Sequence, residues 1–259
     1  MNYPNFREKQ LNPSMTEPTD FMKYLQSIGR YTTRTAPLGA IICYDWKLLQ
    51  YIRQNHPNES ELASLAELYF LSETEGKIAV VGGFGVGAPA ATLALENLIA
   101  YGVKKFISIG TAGTLQKDLS IGDLVVCDKA IRDEGVSHHY LATEQYAYGS
   151  ERLTKKLTNT LADLKHSYQV GSSWTIDAVF RETIAEAQRY QSEGILTVEM
   201  EAAALFSVAK YRGVDLATLL TVSDSLAELK WNPQFHHERT HRGLETIYQV
   251  ALKCLLEPL

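Results

Sequence analysis

Short apolar runs separated by longer amphipathic stretches set the pattern of the chain. That alternation predicts strands packed between helices. Residues 38–43 form a continuous apolar run of strand length, and residues 46–54 follow with helical spacing. Residues 65–72 and 77–83 flank Glu73-Thr74-Glu75-Gly76, the arrangement of a β-hairpin. Residues 88–101 read as a helix that Gly102 ends. Residues 105–110 and 124–132 read as strands, 151–165 as a helix and 169–175 as a strand. An alanine-rich helix covers 199–211 and closes at Arg212-Gly213, and an apolar strand covers 216–222. Leu244, Ile247, Tyr248, Ala251 and Leu255 lay one apolar face along a last helix. Strands alternating with helices imply a mainly parallel sheet, with ligands at the carboxyl ends of its strands.

Composition narrows the class. Apolar residues make up 45% of the 259 and charged residues 21%, the profile of a soluble globular protein. No linker or repeat divides the chain. Residues 1–20, polar and with three prolines, read as an N-terminal arm, and 21–259 as one domain. The net charge of −5 is spread without a basic stripe, which argues against a nucleic-acid groove. Cys43, Cys127 and Cys254 are far apart and odd in number. They give neither metal spacing nor a disulfide framework, and fit reduced core thiols in a cytoplasmic protein. The N-terminus has no apolar leader. The most apolar region, 78–100, holds four glycines, a proline and a glutamate, so it is a core strand–loop–helix and not a membrane span.

Four stretches carry candidate chemistry. Gly82-Gly83-Phe84-Gly85-Val86-Gly87-Ala88-Pro89 links a strand to a helix, where glycines let the backbone approach a ligand and free N–H groups can hold an anion. A tight turn without a ligand explains the same glycines. Gly110-Thr111-Ala112-Gly113 reads as a second strand-end loop, with Thr111 able to donate a hydroxyl. In Val198-Glu199-Met200-Glu201-Ala202 two carboxylates open a helix; the helix dipole favours them there, and a carboxylate can also accept from two sugar hydroxyls. Val222-Ser223-Asp224-Ser225 ends an apolar strand, so Asp224 either caps the next segment or is held protonated by burial.

In this order, with Gly122-Asp123-Leu124-Val125-Val126 and Ile131-Arg132-Asp133-Glu134-Gly135-Val136-Ser137-His138-His139-Tyr140 between them, the stretches resemble the nucleoside phosphorylase superfamily. Its members include uridine phosphorylase, the hexameric type of purine nucleoside phosphorylase and AMP nucleosidase. The likeness runs from about Arg30 to the C-terminus. It implies a single α/β domain with a mixed central sheet partly closed into a barrel and flanked by helices. It also implies a pentosyltransferase that cleaves the N-glycosidic bond of a purine nucleoside or uridine. Inorganic phosphate is the co-substrate, with no cofactor, no metal, no nucleic acid and no membrane. Homo-oligomers (dimer, trimer of dimers or hexamer) go with the family, and Tyr3, Phe6 and Phe21 are apolar residues suited to such contacts.

By the resemblance, Glu201 binds the ribose hydroxyls, Met200 packs on sugar or base, and Glu199 shapes the helix start. Gly85 and Thr111 touch phosphate or sugar. Asp224 protonates a departing purine, and Asp177 and Phe180 belong to the segment that places an aromatic over the base. Three positions depart from the family. Cys43-Tyr44-Asp45-Trp46 stands where a glycine–arginine phosphate loop is expected, Ser108 stands at a second phosphate arginine, and no histidine precedes His56. Arg132, Arg181, Arg30 and Arg34 are the candidate replacements, Arg132 first. These departures, with Gly29-Arg30-Tyr31-Thr32 and Arg132-Asp133-Glu134-Gly135, are similar to AMP nucleosidase. They keep hydrolysis of a nucleoside or AMP open, as well as a non-catalytic nucleoside-binding relative. Residues 88–115 are similar to uridine-type members, while Asp224 favours a purine. His138-His139 either lines the sugar or lies on a solvated loop, with the loop favoured.

Overall fold

A polar start gives way to helix α1 (Pro18–Ser27), preceded by a 3-10 turn at Lys9–Leu11. The computed structural model describes residues 6, 8–30, 34–63 and 66–257. Tyr3, Tyr31 and Thr32 lie outside them. Helix α1 opens on Pro18, crosses the expected arm boundary at residue 20 and packs against α3 (below). Just before it, Glu17 pairs with Arg212 at 2.7 Å.

The strands and helices then alternate. Strand β1 (Gly39–Cys43) is wholly buried, and α2 (Trp46–Asn55) starts where the Asp45 carboxylate accepts from Leu48 N at 2.7 Å. Strands β2 (Asn58–Ala63), β3 (Ala66–Leu71) and β4 (Ile78–Gly82) form an antiparallel meander. The expected hairpin is its second half; β2 has no apolar alternation to announce it. Helix α3 (Ala88–Tyr101) ends at Gly102, as the sequence predicts. Strands β5 (Lys105–Thr114) and β6 (Leu124–Asp133) follow, then the single turn α4 (Ser137–Tyr140), β7 (Tyr146–Tyr148), α5 (Glu151–Asp163) and β8 (Gln169–Ile176). After α6 (Ile184–Ser192) come β9 (Thr197–Glu199), α7 (Ala202–Arg212), β10 (Asp215–Ser225), the two-residue β11 (Asn232–Pro233) and α8 (Glu238–Leu256).

Two expectations are corrected here. The sheet is mixed, as the family resemblance implies, and not mainly parallel as the alternation of elements alone suggests: β1, β4, β5 and β10 run parallel, while β6 is antiparallel to β10 and β9 to β5. Gly110-Thr111-Ala112-Gly113 is not a loop but part of β5, paired throughout with β10, and Gly113 pairs also with Val198 of β9. Its glycines suggest a turn, yet they are present because side chains crowd the strand. A Cβ on Gly113 would sit 2.9 Å from Asp224 Oδ2 and 3.2 Å from Val198 Cγ1.

Strands β10, β6, β8, β9 and β5 close on themselves into a five-stranded barrel, and β1, β4, β3 and β2 extend from β5. Alanines let α7 lie flat against α3 and the barrel, so residues 202–209 are all buried. Helices α2, α5 and α8 cover the opposite face. Trp174 is fully buried, its Nε1 donating to Asp133 Oδ2 at 2.9 Å. All three cysteines are buried and free. Among the described residues no helix is long and apolar enough to cross a membrane.

Candidate active site

The Glu199-Met200-Glu201 segment joins a strand to a helix and does not lie within a helix as expected: Glu199 ends β9, and Glu201 is the N-cap residue of α7. This splits the jobs of the two carboxylates. Glu199 Oε2 accepts from the N–H groups of Glu201 (2.8 Å) and Ala202 (2.7 Å), and Oε1 accepts from Thr175 Oγ1 (2.5 Å). Thr175 stands opposite Glu199 on β8 and also accepts from Ala203 N at 3.0 Å. Glu199 therefore satisfies the orphan donors of the helix start.

Glu201 is held from the other side. Gly87, with φ of 94° at the N-cap of α3, donates its N–H to Glu201 Oε1 at 2.5 Å. The acceptor that the glycine-rich turn holds is thus the protein's own carboxyl group, placed at the positive end of the α3 dipole. Burial, followed by the Glu199 charge, pushes Glu201 up to about 8. Between the two carboxylates, the Met200 methyl lies 3.9 Å from where a Cβ on Gly87 would be. Gly85, also at positive φ, is exposed at the rim.

Asp224 lies across β5 from this cluster. Gly113 pairs with Asp224 on one side and with Val198 on the other, so β10, β5 and β9 run side by side at the site. Two strand spacings put Asp224 about 10 Å from the Val198 position. The pairing of β10 with β5 shifts register between Val222 and Asp224. Only 7% of Asp224 is exposed. Burial raises its proton affinity, and two donors act against this: Ser223 Oγ to Oδ1 at 2.7 Å and Trp231 Nε1 to Oδ2 at 2.9 Å. Glu182 is pushed up to about 7 by burial and then by the charges of Asp224 and Glu186.

The other expected residues take varied places. Thr111 is half-buried on β5, beside Thr221 of β10. Phe180 projects almost fully exposed from a 3-10 turn after β8. Asp177 Oδ2 accepts from Gly135 N at 2.8 Å, tying two loops together. Arg132 is corrected: its guanidinium is spent on Ser137 Oγ (2.9 Å) and the carbonyls of Ala142 (2.6 Å) and Leu141 (3.1 Å). It is buried as the holder of the 137–144 loop, which leaves it poorly placed to grip a phosphate. Arg34 pairs with Glu59 over the Phe70 ring, and Arg181 is exposed. His138 and His139 belong to α4 and not to a solvated loop; His138 Nε2 lies 3.1 Å from Arg132 O.

Four participants were missed or undervalued. Tyr44 is half-buried, its hydroxyl 3.0 Å from Ser108 Oγ, and desolvation followed by the Glu201 charge raises its pKa. Tyr44 lies in the segment that stands for the expected glycine–arginine loop, and Ser108 stands where the resemblance expects a second arginine. Thr175, Glu182 and Trp231 have no local signal, since only the closed barrel brings them near the carboxylates. A cavity of about 750 Å³ lies elsewhere, walled by Phe21, Pro89, Glu96, Tyr140, Tyr211 and Arg212. It touches the outer sides of α3 and α7 and none of the site carboxylates. Among the described residues no group of three or more His, Cys, Asp or Glu side chains could hold a metal ion.

Comparison with known proteins bears on the whole arrangement. The model of the phosphorylase superfamily matches residues 40–256, a span that contains every site carboxylate above. A DeoD-type purine nucleoside phosphorylase from Alkaliphilus metalliredigens is 35% identical over 180 residues, covering 69% of this chain and 77% of that relative. A guanosine phosphorylase from Halorubrum lacusprofundi is 30% identical over 171 residues, 65% of this chain and 71% of its own. Among solved structures, the uridine phosphorylase of Vibrio fischeri ES114 superposes with a TM-score of 0.74 at 25% identity, over 85% of this chain and 92% of that one.

Proposed function

This chain belongs to the phosphorylase superfamily, and on that premise we propose that it cleaves the N-glycosidic bond of a purine nucleoside with phosphate, releasing the base and ribose 1-phosphate. The observation that carries this reading is a pair of buried carboxyls near Gly113: Asp224 pairs with it from β10, and Glu201 lies three residues beyond Val198, which pairs with it from β9. Bond cleavage builds positive charge on the ribose and negative charge on the base, and each needs its own partner. Glu201, with one oxygen fixed by Gly87, turns the other to the 2′- and 3′-hydroxyls. Asp224 gives its proton to N7 of the purine as the C1′–N9 electron pair moves to the base. A phosphate oxygen bonds to C1′ from the opposite face. Gly85 and Thr111 flank the sugar and phosphate, Met200 packs on the sugar, and Phe180 folds over the base.

A protonated carboxyl suits a nitrogen acceptor, whereas uracil offers only carbonyl oxygens. The purine and guanosine phosphorylases among the relatives support the same preference. A second reading, hydrolysis, is favoured by the Tyr44–Ser108 hydrogen bond, which puts neutral hydroxyls where an anionic nucleophile would need cations. One experiment separates them: inosine, guanosine, adenosine and uridine are incubated with the protein, with and without phosphate. Phosphate-dependent hypoxanthine and ribose 1-phosphate are expected. Free ribose without phosphate selects hydrolysis. Uridine as the best substrate removes the purine preference, and no base release from any nucleoside overturns both readings. The reading also includes a homo-oligomer, with Phe6 exposed for contact; a stable monomer in light scattering at micromolar concentration counts against that.

A further inference from the structure

The segment between β10 and β11 packs Leu226 and Leu229 against the barrel's apolar side chains and then returns to the acid. After Ser225 the chain makes a turn in which Leu229 N donates to Leu226 O at 2.8 Å and Leu229 adopts a positive φ of 55°. It then returns as Asn232 and Pro233, which pair with Ser225 and Asp224. The two-residue strand β11 is too short to stabilise a sheet edge by itself. Its geometric result is to bring Trp231 back over Asp224, with the indole N–H on Oδ2 at 2.9 Å. The ring is 59% exposed, so burial of apolar area is not the main reason for its place. An indole nitrogen is a donor only. It can therefore serve the carboxylate form of Asp224 but cannot accept a proton from the acid form.

We propose that Trp231 is a positioning residue for Asp224: its indole N–H orients the carboxyl and stabilises the carboxylate left when the proton passes to the departing base. The inference rests on the reading of Asp224 as the general acid. Oδ1 has the Ser223 hydroxyl and Oδ2 has the indole, so each oxygen is met by one donor as charge develops. Gly113 makes this possible by leaving space beside Oδ2. The charged groups around the acid are few. Glu182 follows the 3-10 turn after β8, and Glu186 stands behind it on α6. On the turn itself Lys230 is exposed, and Glu228 is tied to Lys117 at 2.9 Å. From β5 and β11 the neighbours are Gly113 and Pro233, which carry no charge.

The sign of the effect is fixed. Activity requires the protonated acid and falls as pH rises past its pKa. Burial raises that pKa, and the indole donor holds it down. Trp231→Phe removes the donor, so the descending limb of kcat/KM for inosine should move up by about one pH unit, the shift for one hydrogen bond to a charged group. The plateau should fall several-fold, because the carboxylate formed is less stabilised. A riboside with a 4-nitrophenolate leaving group, which needs no proton, should lose nothing. A limb that superimposes on wild type overturns the proposal. A second measurement does not depend on that variant. In wild-type protein the indole N–H resonance of Trp231 should titrate with pH in a ¹⁵N–¹H spectrum, and in Asp224→Asn the titration should vanish. A resonance that is flat in wild type, or unchanged by Asp224→Asn, also overturns it. Wild-type turnover by Asp224→Asn defeats the acid reading itself, an outcome distinct from an unshifted limb in Trp231→Phe alone.

Discussion

The two ends of the site hold buried carboxyls by different means. At the α7 end, Glu199 and Glu201 are gripped chiefly by main-chain N–H groups from the starts of two helices. At the β10 end, Asp224 is gripped by two side chains, one of them on an exposed two-strand turn. Main-chain donors cannot be removed by substitution without moving a helix, so the first end is a rigid acceptor. Side-chain donors can be exchanged one residue at a time, so the second end is adjustable. On the proposed reading the chemistry divides along the same line: the ribose, common to all nucleosides, would meet the rigid end, and the base, which varies, the adjustable one. Three substitutions and one pH series probe that division.

The largest effect is expected for Glu201→Gln. Assayed above pH 8, where Glu201 is ionised, losing a charged acceptor for two hydroxyls costs on the order of 3 to 4 kcal/mol, roughly a few hundredfold in kcat/KM for every substrate. Steady-state rates check it, with near wild-type rates as the contrary result. Asp224→Asn follows, at on the order of a hundredfold in kcat for inosine. Retention of more than a tenth of wild-type kcat would leave Asp224 as an orienting group.

Glu199→Ala should act on stability first. It strips the donors of Glu201, Ala202 and Thr175 of their acceptor, which costs about 3 kcal/mol, or roughly 6 to 12 °C in melting temperature. Calorimetry that shows an unchanged melting point would remove Glu199 from its capping role. The smallest effect concerns pH. Glu201 is raised from 4.5 to about 8 in the fold. The stability that its protonated form contributes is complete below about pH 4.5 and is lost as pH rises through 8. Glu201→Gln cannot ionise, so its stability relative to wild type should rise between pH 5 and pH 9. Parallel melting curves at the two pH values would contradict the raised proton affinity.

What the sequence made legible follows from the range of each signal. Helix α3 announced itself through Pro89 and Gly102, which act within one turn, and the β3–β4 hairpin through its polar turn. Glu201 and Asp224 were singled out by a family resemblance, and Asp224 also stood out as a charge ending an apolar run. The end of β5 was misread because Gly110 and Gly113 look like turn residues, whereas they make room for Tyr44 and Asp224. Strand β9 is three residues long and exists because β8 and β5 flank it. Arg132 looked available because no local pattern shows that three loop residues consume its donors. Trp231 sits in a polar stretch, and only the closed mouth of the barrel gives it meaning.

The division between a rigid ribose end and a proton-giving base end is tested most directly by comparing two substrates across three proteins. Wild type, Glu201→Gln and Asp224→Asn are assayed in phosphate with inosine and with 4-nitrophenyl ribofuranoside, whose leaving group departs without a proton. The account predicts that Glu201→Gln loses rate equally on both, because both carry the ribose, while Asp224→Asn loses rate on inosine and nearly none on the nitrophenyl substrate. Equal losses for Asp224→Asn on the two substrates would contradict it.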